Sequence, residues 1–229
     1  MWSFFFTPGA FGQSAAACAS RSRGQKPFGV QMDRLSELRI LIASLDVRVV
    51  TALCRRSKYA LNASLYHEQT VPSPQLSHLS QAFRSVPVSS RRVGILRPLY
   101  LQVILPSLCD PGEDEDSRPC IGVDKASMAA LIDRLNVAPL VALQKSAGHS
   151  RALHEALRKR DRTLVEQAIT DVPVETGVLE RIRLKAEECG LSSERSLALA
   201  GIYRGWIIPL SRRIQVNRLL DGGATPCRG

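Results

Sequence analysis

Residues 202–220 read IYRGWIIPLSRRIQVNRLL. At about 100° per residue, Ile202, Tyr203, Trp206, Ile207, Leu210, Ile214 and Leu220 fall on one broad face, so the segment predicts a core-facing helix. Ser211 and Gln215 are four residues apart and stack one turn above the other, roughly 40° apart, at the margin of that apolar stripe. They face inward. Pro209 removes one hydrogen bond and presses on the carbonyl of Gly205, the least obstructive residue to meet, which predicts a kinked but continuous helix. The plainer reading makes Ser211 and Gln215 ordinary boundary polar residues, and the rest of the chain decides between the two.

The 229 residues are enough for one domain with a substantial core, and 45% hydrophobic content is that of a globular chain. Five of the six Phe, with Trp2, lie in the first 28 residues, leaving Phe83 as the only one beyond. The core of the body must therefore be Leu, Ile, Val and Ala. Without runs of Val, Thr and aromatic residues at period two, such a core favours packed helices over sheet. Six Cys (18, 54, 109, 120, 189, 227) form no C-x-x-C pair and four His (67, 78, 149, 154) show no metal spacing, which reads as reduced thiols and no zinc. The net charge of +10 is spread over scattered pairs and triplets, such as Arg91–Arg92, Arg158–Lys159–Arg160 and Arg212–Arg213, with no aromatic-interleaved basic motif. That argues against nucleic acid and suits a solvated surface or an anionic small molecule. No apolar run approaches a membrane span, so no membrane partner is expected.

Along the chain, residues 1–31 combine Phe, Ser, Ala, Gly and Arg without a carboxylate, the composition of an organellar transit peptide or of a disordered tail. Met32 offers an alternative start and an untargeted, cytoplasmic form. A helix capped by Asp33 carries Leu35, Leu38, Ile42, Leu45, Val49 and Leu53 and is expected to run to about Leu65, with Arg39 and Asp46 at the edge of its stripe. An internal ion pair is the plainer account of those two. Residues 67–97, with three Pro and many Ser, read as a loop; Tyr100–Leu108 is an apolar segment broken at Pro106, and Asp110–Asp116 an exposed turn. A second long helix from near Asp124 directs Met128, Leu131, Leu135 and Leu140 inward, with a kink at Pro139. Arg134 and Lys145 lie on it eleven residues apart, hence within roughly 20° of one face and about 16 Å along the axis, so two cations can reach one cavity. Short helices follow at Ala152–Lys159 and Thr163–Ile169. Pro173 then opens another helix, with Asp171 ahead of it and Glu175 just inside, both favoured at a helix N-terminus. Gly190 ends that helix and Ser192 or Ser193 caps the last. Residues 221–229 read as a flexible tail.

One helix thus offers Arg39, a second Arg134 and Lys145, a third Glu175 and a fourth Ser211 and Gln215. From Leu35 to Leu220 this resembles the all-helical chorismate mutases, in particular the fungal and plant branch. LSELRILIASLD resembles that family's first catalytic helix, and LIDRLNVAPLVALQK keeps its Arg and Lys at a spacing of eleven. TDVPVETGVLERIRLKAEECG follows its third segment, and IIPLSRRIQVNRLL its last, proline included. The resemblance implies an all-α bundle over residues 32–220, with long first, second and C-terminal helices around a polar, cationic cavity.

It also implies roles. Arg39 and Arg134 would hold the two carboxylates of chorismate with help from Ser211, and Lys145 and Gln215 would donate to the ether oxygen. Asp171, through its backbone, and Glu175 would hold the ring hydroxyl, and Asp46 would orient the nearby cations. The implied reaction is the intramolecular rearrangement of chorismate to prephenate in phenylalanine and tyrosine biosynthesis, with no cofactor and no metal. Implied too are a plastid location and a homodimer, although the family builds part of its dimer and effector site from a longer connection than residues 67–97. Its glycine and serine effector contacts align with Arg118 and Pro119, so insensitivity to aromatic amino acids is expected. The rival class is a non-catalytic helical module binding acidic partners, which predicts no retained cavity.

Overall fold

Two prolines govern how the long helices run. In the computed structural model, which describes residues 34–69, 92–148 and 150–222, both Pro106 and Pro209 sit in the first turn of a helical segment that directly continues a π-helical one. Tyr100–Ile104 and Tyr203–Ile207 are the two π segments, and the next residue's N–H reaches back five positions, Leu105 to the Tyr100 carbonyl and Ile208 to that of Tyr203. A proline can neither donate to the carbonyl four residues earlier nor tolerate it closely, and the wider turn relieves both demands without ending the helix. The C-terminal segment is therefore continuous, as its stripe predicts. Tyr100–Leu108, expected to break at Pro106, is continuous as well.

Helix α1 spans Arg34–Arg56. A 3₁₀ turn, Ala63–Gln69, follows it. Helix α2 is Arg92–Leu99 continued through the π segment Tyr100–Ile104 into Leu105–Leu108. Helices α3 (Arg118–Asn136), α4 (Ala138–Ala147), α5 (Arg151–Lys159), α6 (Arg162–Ile169) and α7 (Val172–Glu188) follow. Helix α8 (Ser193–Ile202) passes through Tyr203–Ile207 into α9 (Ile208–Gly222). No strand occurs among the described residues. Helix α1 packs on α3, α4 and α7, α9 on α4 and α6, α7 on α8, and α5 on α6.

Several boundaries differ from expectation. Helix α1 ends at Arg56 rather than near Leu65, because the buried Arg56 guanidinium gathers the carbonyls that follow it. It donates to Ala60 O at 2.9 Å, Leu61 O at 3.0 Å and Asp124 Oδ1 at 2.7 Å, and Asn62 turns the chain at φ 53°. Residues 92–97, read as loop, are helical. Helix α3 begins at Arg118 rather than Asp124, with Pro119 in its first turn where a missing N–H costs nothing. A turn at Val137, just ahead of Pro139, separates α3 from α4. It leaves Leu140 51% exposed instead of in the core. The run Arg118–Ala147 does reach the length and apolarity of a membrane span, contrary to expectation, but half of its most apolar window is buried in the fold. Asp110–Asp116 is not wholly exposed, since Asp114 accepts from Asn62 Nδ2 at 2.7 Å and from Ala60 N at 3.1 Å. Gly190, at φ 91°, does close α7, and Ser192 caps α8 through the N–H of Arg195. Asp33, residues 1–31 and residues 223–229 lie outside the described residues, whereas Asp221 and Gly222 complete α9.

The main core is aliphatic. Val49, Leu53, Leu99, Leu131, Leu135 and Ile207 are all but fully buried within it, each contributing about 1.5–3 kcal/mol by removal from water. A second cluster joins α4, α5, α6 and α9 through Ala142, Leu153, Val165 and Val216. A third joins α1 and α4 through Leu45, Val137 and Val141. The cavity described next lies where α1, α3, α4, α7 and α9 face one another.

Candidate active site

Arg39, Arg134, Lys145, Asp171, Glu175, Ser211 and Gln215 all line a single cavity, whose apolar wall includes Leu38, Ile42, Val141, Val178 and Ile208. Asp46 stands behind it. Its Oδ1 accepts from Arg134 Nε at 2.6 Å, with both side chains about nine-tenths shielded from water. Burial pushes the Asp46 carboxyl up, against the opposing pull of Arg134 and the Tyr203 hydroxyl. Tyr203 is itself fully enclosed and raised by burial, and neither its hydroxyl nor Asp46 Oδ2 makes a hydrogen bond of good geometry. The pair holds Arg134 in one orientation at the cavity wall.

The other side chains are freer. Arg39 pairs with Asp171 at 3.6 Å with both about half exposed, an ion pair worth at most about 1 kcal/mol. A competing carboxylate can displace such a partner. Asp171 also caps α7, accepting from Val174 N at 3.2 Å, while its carbonyl accepts from Glu175 N. Lys145 sends Nζ to the carbonyl of Ile169. Burial lowers its pKa; Asp171 and Glu175 raise it, and Arg212 and Arg39 lower it further. Gln215 is 8% and Ser211 7% exposed, and the Gln215 amide reaches only the Ser211 carbonyl, at 3.4 Å, leaving Oε1 buried without a partner. The inward reading of these two residues holds over the plainer one.

Arg212 is the residue the sequence reading missed. Taken there as half of a surface pair, it lines the cavity and places Nη2 2.7 Å from both oxygens of Glu175, with Nη1 3.4 Å from Glu166 Oε1. A signal was present: position 212 precedes Gln215 by three residues, which places it about 60° from Gln215 around the helix. With Arg212 counted, four cations and two carboxylates face the cavity, a surplus of two positive charges. Such a site suits a small dianion.

No family model matches the chain. The chorismate mutase of Emericella nidulans is 25% identical over 244 aligned residues, which cover 82% of this chain and 91% of that protein. That of Schizosaccharomyces pombe is 28% identical over 181 residues, covering 75% and 71%. The chain is similar to chorismate mutases of fungi and plants. Chloroplast chorismate mutases of plants are also among its relatives. Its fold is theirs as well: the Candida albicans chorismate mutase, solved in complex with L-Trp, superposes with a TM-score of 0.67 at 20% identity, covering 81% of this chain and 90% of that one. Among the described residues helices carry the architecture, as the resemblance of the four segments implied.

Proposed function

We propose that this chain is a chorismate mutase, converting chorismate to prephenate. The observation that carries the proposal is the single cavity into which α1, α3, α4 and α9 bring Arg39, Arg134, Lys145 and Gln215. In the rearrangement the ether C–O bond breaks as a C–C bond forms within one molecule, so no electron pair or proton has to come from a cofactor. Catalysis then rests on confinement and on stabilising negative charge at the ether oxygen. Arg134, fixed by Asp46, and Arg39, released from Asp171, each take one substrate carboxylate, with Ser211 beside them. Lys145 and the Gln215 amide donate to the ether oxygen. The Glu175 carboxylate and the backbone of Asp171 hold the ring hydroxyl. A non-catalytic module would have no reason to keep such a cavity open, and apolar side chains would fill it more stably.

The experiment is direct: purified protein is mixed with chorismate, the loss of its absorbance is followed, and prephenate is identified as the product. Unchanged chorismate at micromolar enzyme would sink the proposal. The active species is a homodimer, to be read from sedimentation. Residues 1–31 act as a plastid transit peptide, and translation from Met32 supplies a cytoplasmic form. A fluorescent reporter carrying residues 1–31 that stays in the cytosol would overturn the plastid assignment.

A further inference from the structure

We infer that Arg212 is a positioning residue of this site, acting through Glu175, which it holds away from Lys145 so that the lysine remains available to the ether oxygen. The inference rests on the chorismate mutase reading. Arg212 Nη2 lies 2.7 Å from Glu175 Oε1 and 2.7 Å from Oε2, so one nitrogen straddles the carboxylate. The other end of the guanidinium is steadied by Glu166 on α6, at 3.4 Å. Arg212 is only 22% and Glu175 29% exposed at the side chain, which makes the pair stiffer and less screened than the surface pairs of this chain.

Glu175 sits in the first turn of α7 on a side chain with three rotatable bonds, and Lys145 is the competing cation it faces across the cavity. Burial lowers the Lys145 pKa; the charge of Glu175 acts against that lowering, and Arg212 acts with it. Were Arg212 absent, Glu175 would still act on Lys145, a cation of the same cavity. An ion pair between them would spend the donor that the transition state needs and turn Glu175 from the ring hydroxyl. Straddling by a single Nη2 leaves each Glu175 oxygen with lone-pair capacity for that hydroxyl. The Arg212 Nε is buried without a partner, so the group is anchored by its two carboxylates alone.

The test is a double-substitution cycle in which kcat, KM and melting temperature are measured for the parent, Arg212→Gln, Glu175→Gln and the pair together. Arg212→Gln is expected to lower kcat about tenfold with little change in KM. In the Glu175→Gln background the same change should cost almost nothing, because the carboxylate that would capture Lys145 is gone. Arg212→Lys should recover part of the loss. Glu166→Gln, which removes the weaker of the two anchors of Arg212, should lower kcat by less than Arg212→Gln does. Losses that multiply in the double variant would mean that Arg212 contacts substrate itself or only supports the fold, and would overturn the inference. So would a kcat that merely follows melting temperature across Arg212→Gln and Glu166→Gln. Absence of turnover by the parent would overturn the chorismate mutase reading and this inference with it; turnover with multiplicative losses would overturn this inference alone.

Discussion

Replacing Asp46 by Leu tests whether the ion pair behind the cavity exists to hold Arg134. The perturbation leaves a guanidinium 5% exposed in a helix interface with no countercharge. Breaking a buried pair by removing one partner costs about 3–5 kcal/mol. Arg134 borders the cavity, so water can reach it after the change, which places the expected cost at the lower end, about 3 kcal/mol. For a chain of this size that is a fall of about 6–12 °C in melting temperature. The pKa of Asp46 sharpens the argument. A carboxyl raised by burial is stabilising in its protonated form and contributes less to stability as pH rises through the folded value, so at neutral pH this pair adds little net stability. Asp46→Leu combined with Arg134→Met should therefore recover most of the lost stability while abolishing turnover. Thermal melts followed by circular dichroism, together with steady-state rates on chorismate, decide the matter. A single variant that melts within about 2 °C of the parent, or a double variant no more stable than the single, would refute the reasoning.

Lys145→Ala removes one transition-state donor and should lower kcat about 10²–10³-fold, read from initial rates. Because burial depresses its pKa, Lys145 should lose its proton below the usual lysine range, and wild-type kcat should fall on the alkaline side as pH rises through that lowered value; a flat alkaline limb counts against the assignment. Gln215 donates its amide hydrogen in any protonation state, so Gln215→Glu should move the optimum toward acid, and an unaltered pH profile would contradict its role. Millimolar tryptophan, tyrosine or phenylalanine should leave the rate curve hyperbolic and superimposable. The reason is that Arg118 points outward to pair with Asp116 and Pro119 lacks a backbone donor where effector contacts would lie, and sigmoidal kinetics would show otherwise.

The helices were legible in the sequence where their apolar stripes are long. Val49 and Leu53 on α1, Leu131 and Leu135 on α3, and Ile207 and Ile214 along the last helix are all buried as their spacing requires. The errors came from tertiary contacts that no window contains. Helix α1 stops at Arg56 because Asp124, 68 residues away, fixes its guanidinium, and a run of good helix formers gives no warning of that. The π segments were equally hidden, since one extra residue per turn leaves the composition unchanged. Their only trace in the sequence is the proline that follows each of them. Leu140 was misplaced by the turn at Val137, which resets the face that α4 presents.

The polar lining of the cavity was legible for a different reason: polar groups on an apolar face are costly unless something satisfies them. Among the described residues six buried polar side-chain atoms have no hydrogen-bond partner, and two of them, in Ser127 and Ser196, lie away from the cavity. Gln215 Oε1 and Arg212 Nε stand at its wall, whereas Asp46 and Tyr203 lie behind Arg134 and act on each other. An unpaired buried polar atom costs about 1–3 kcal/mol, and the two at the wall suit a ligand that the hole receives. Ser211 and Gln215 could be recognised because they interrupt a stripe of Ile and Leu. Arg212 could not be recognised in the same way, because an arginine beside a second arginine is also what an exposed helix face looks like. Its partner Glu175 is 37 residues away on another helix, and only the ion pair that reaches from α9 to α7 turns a surface charge into part of the site.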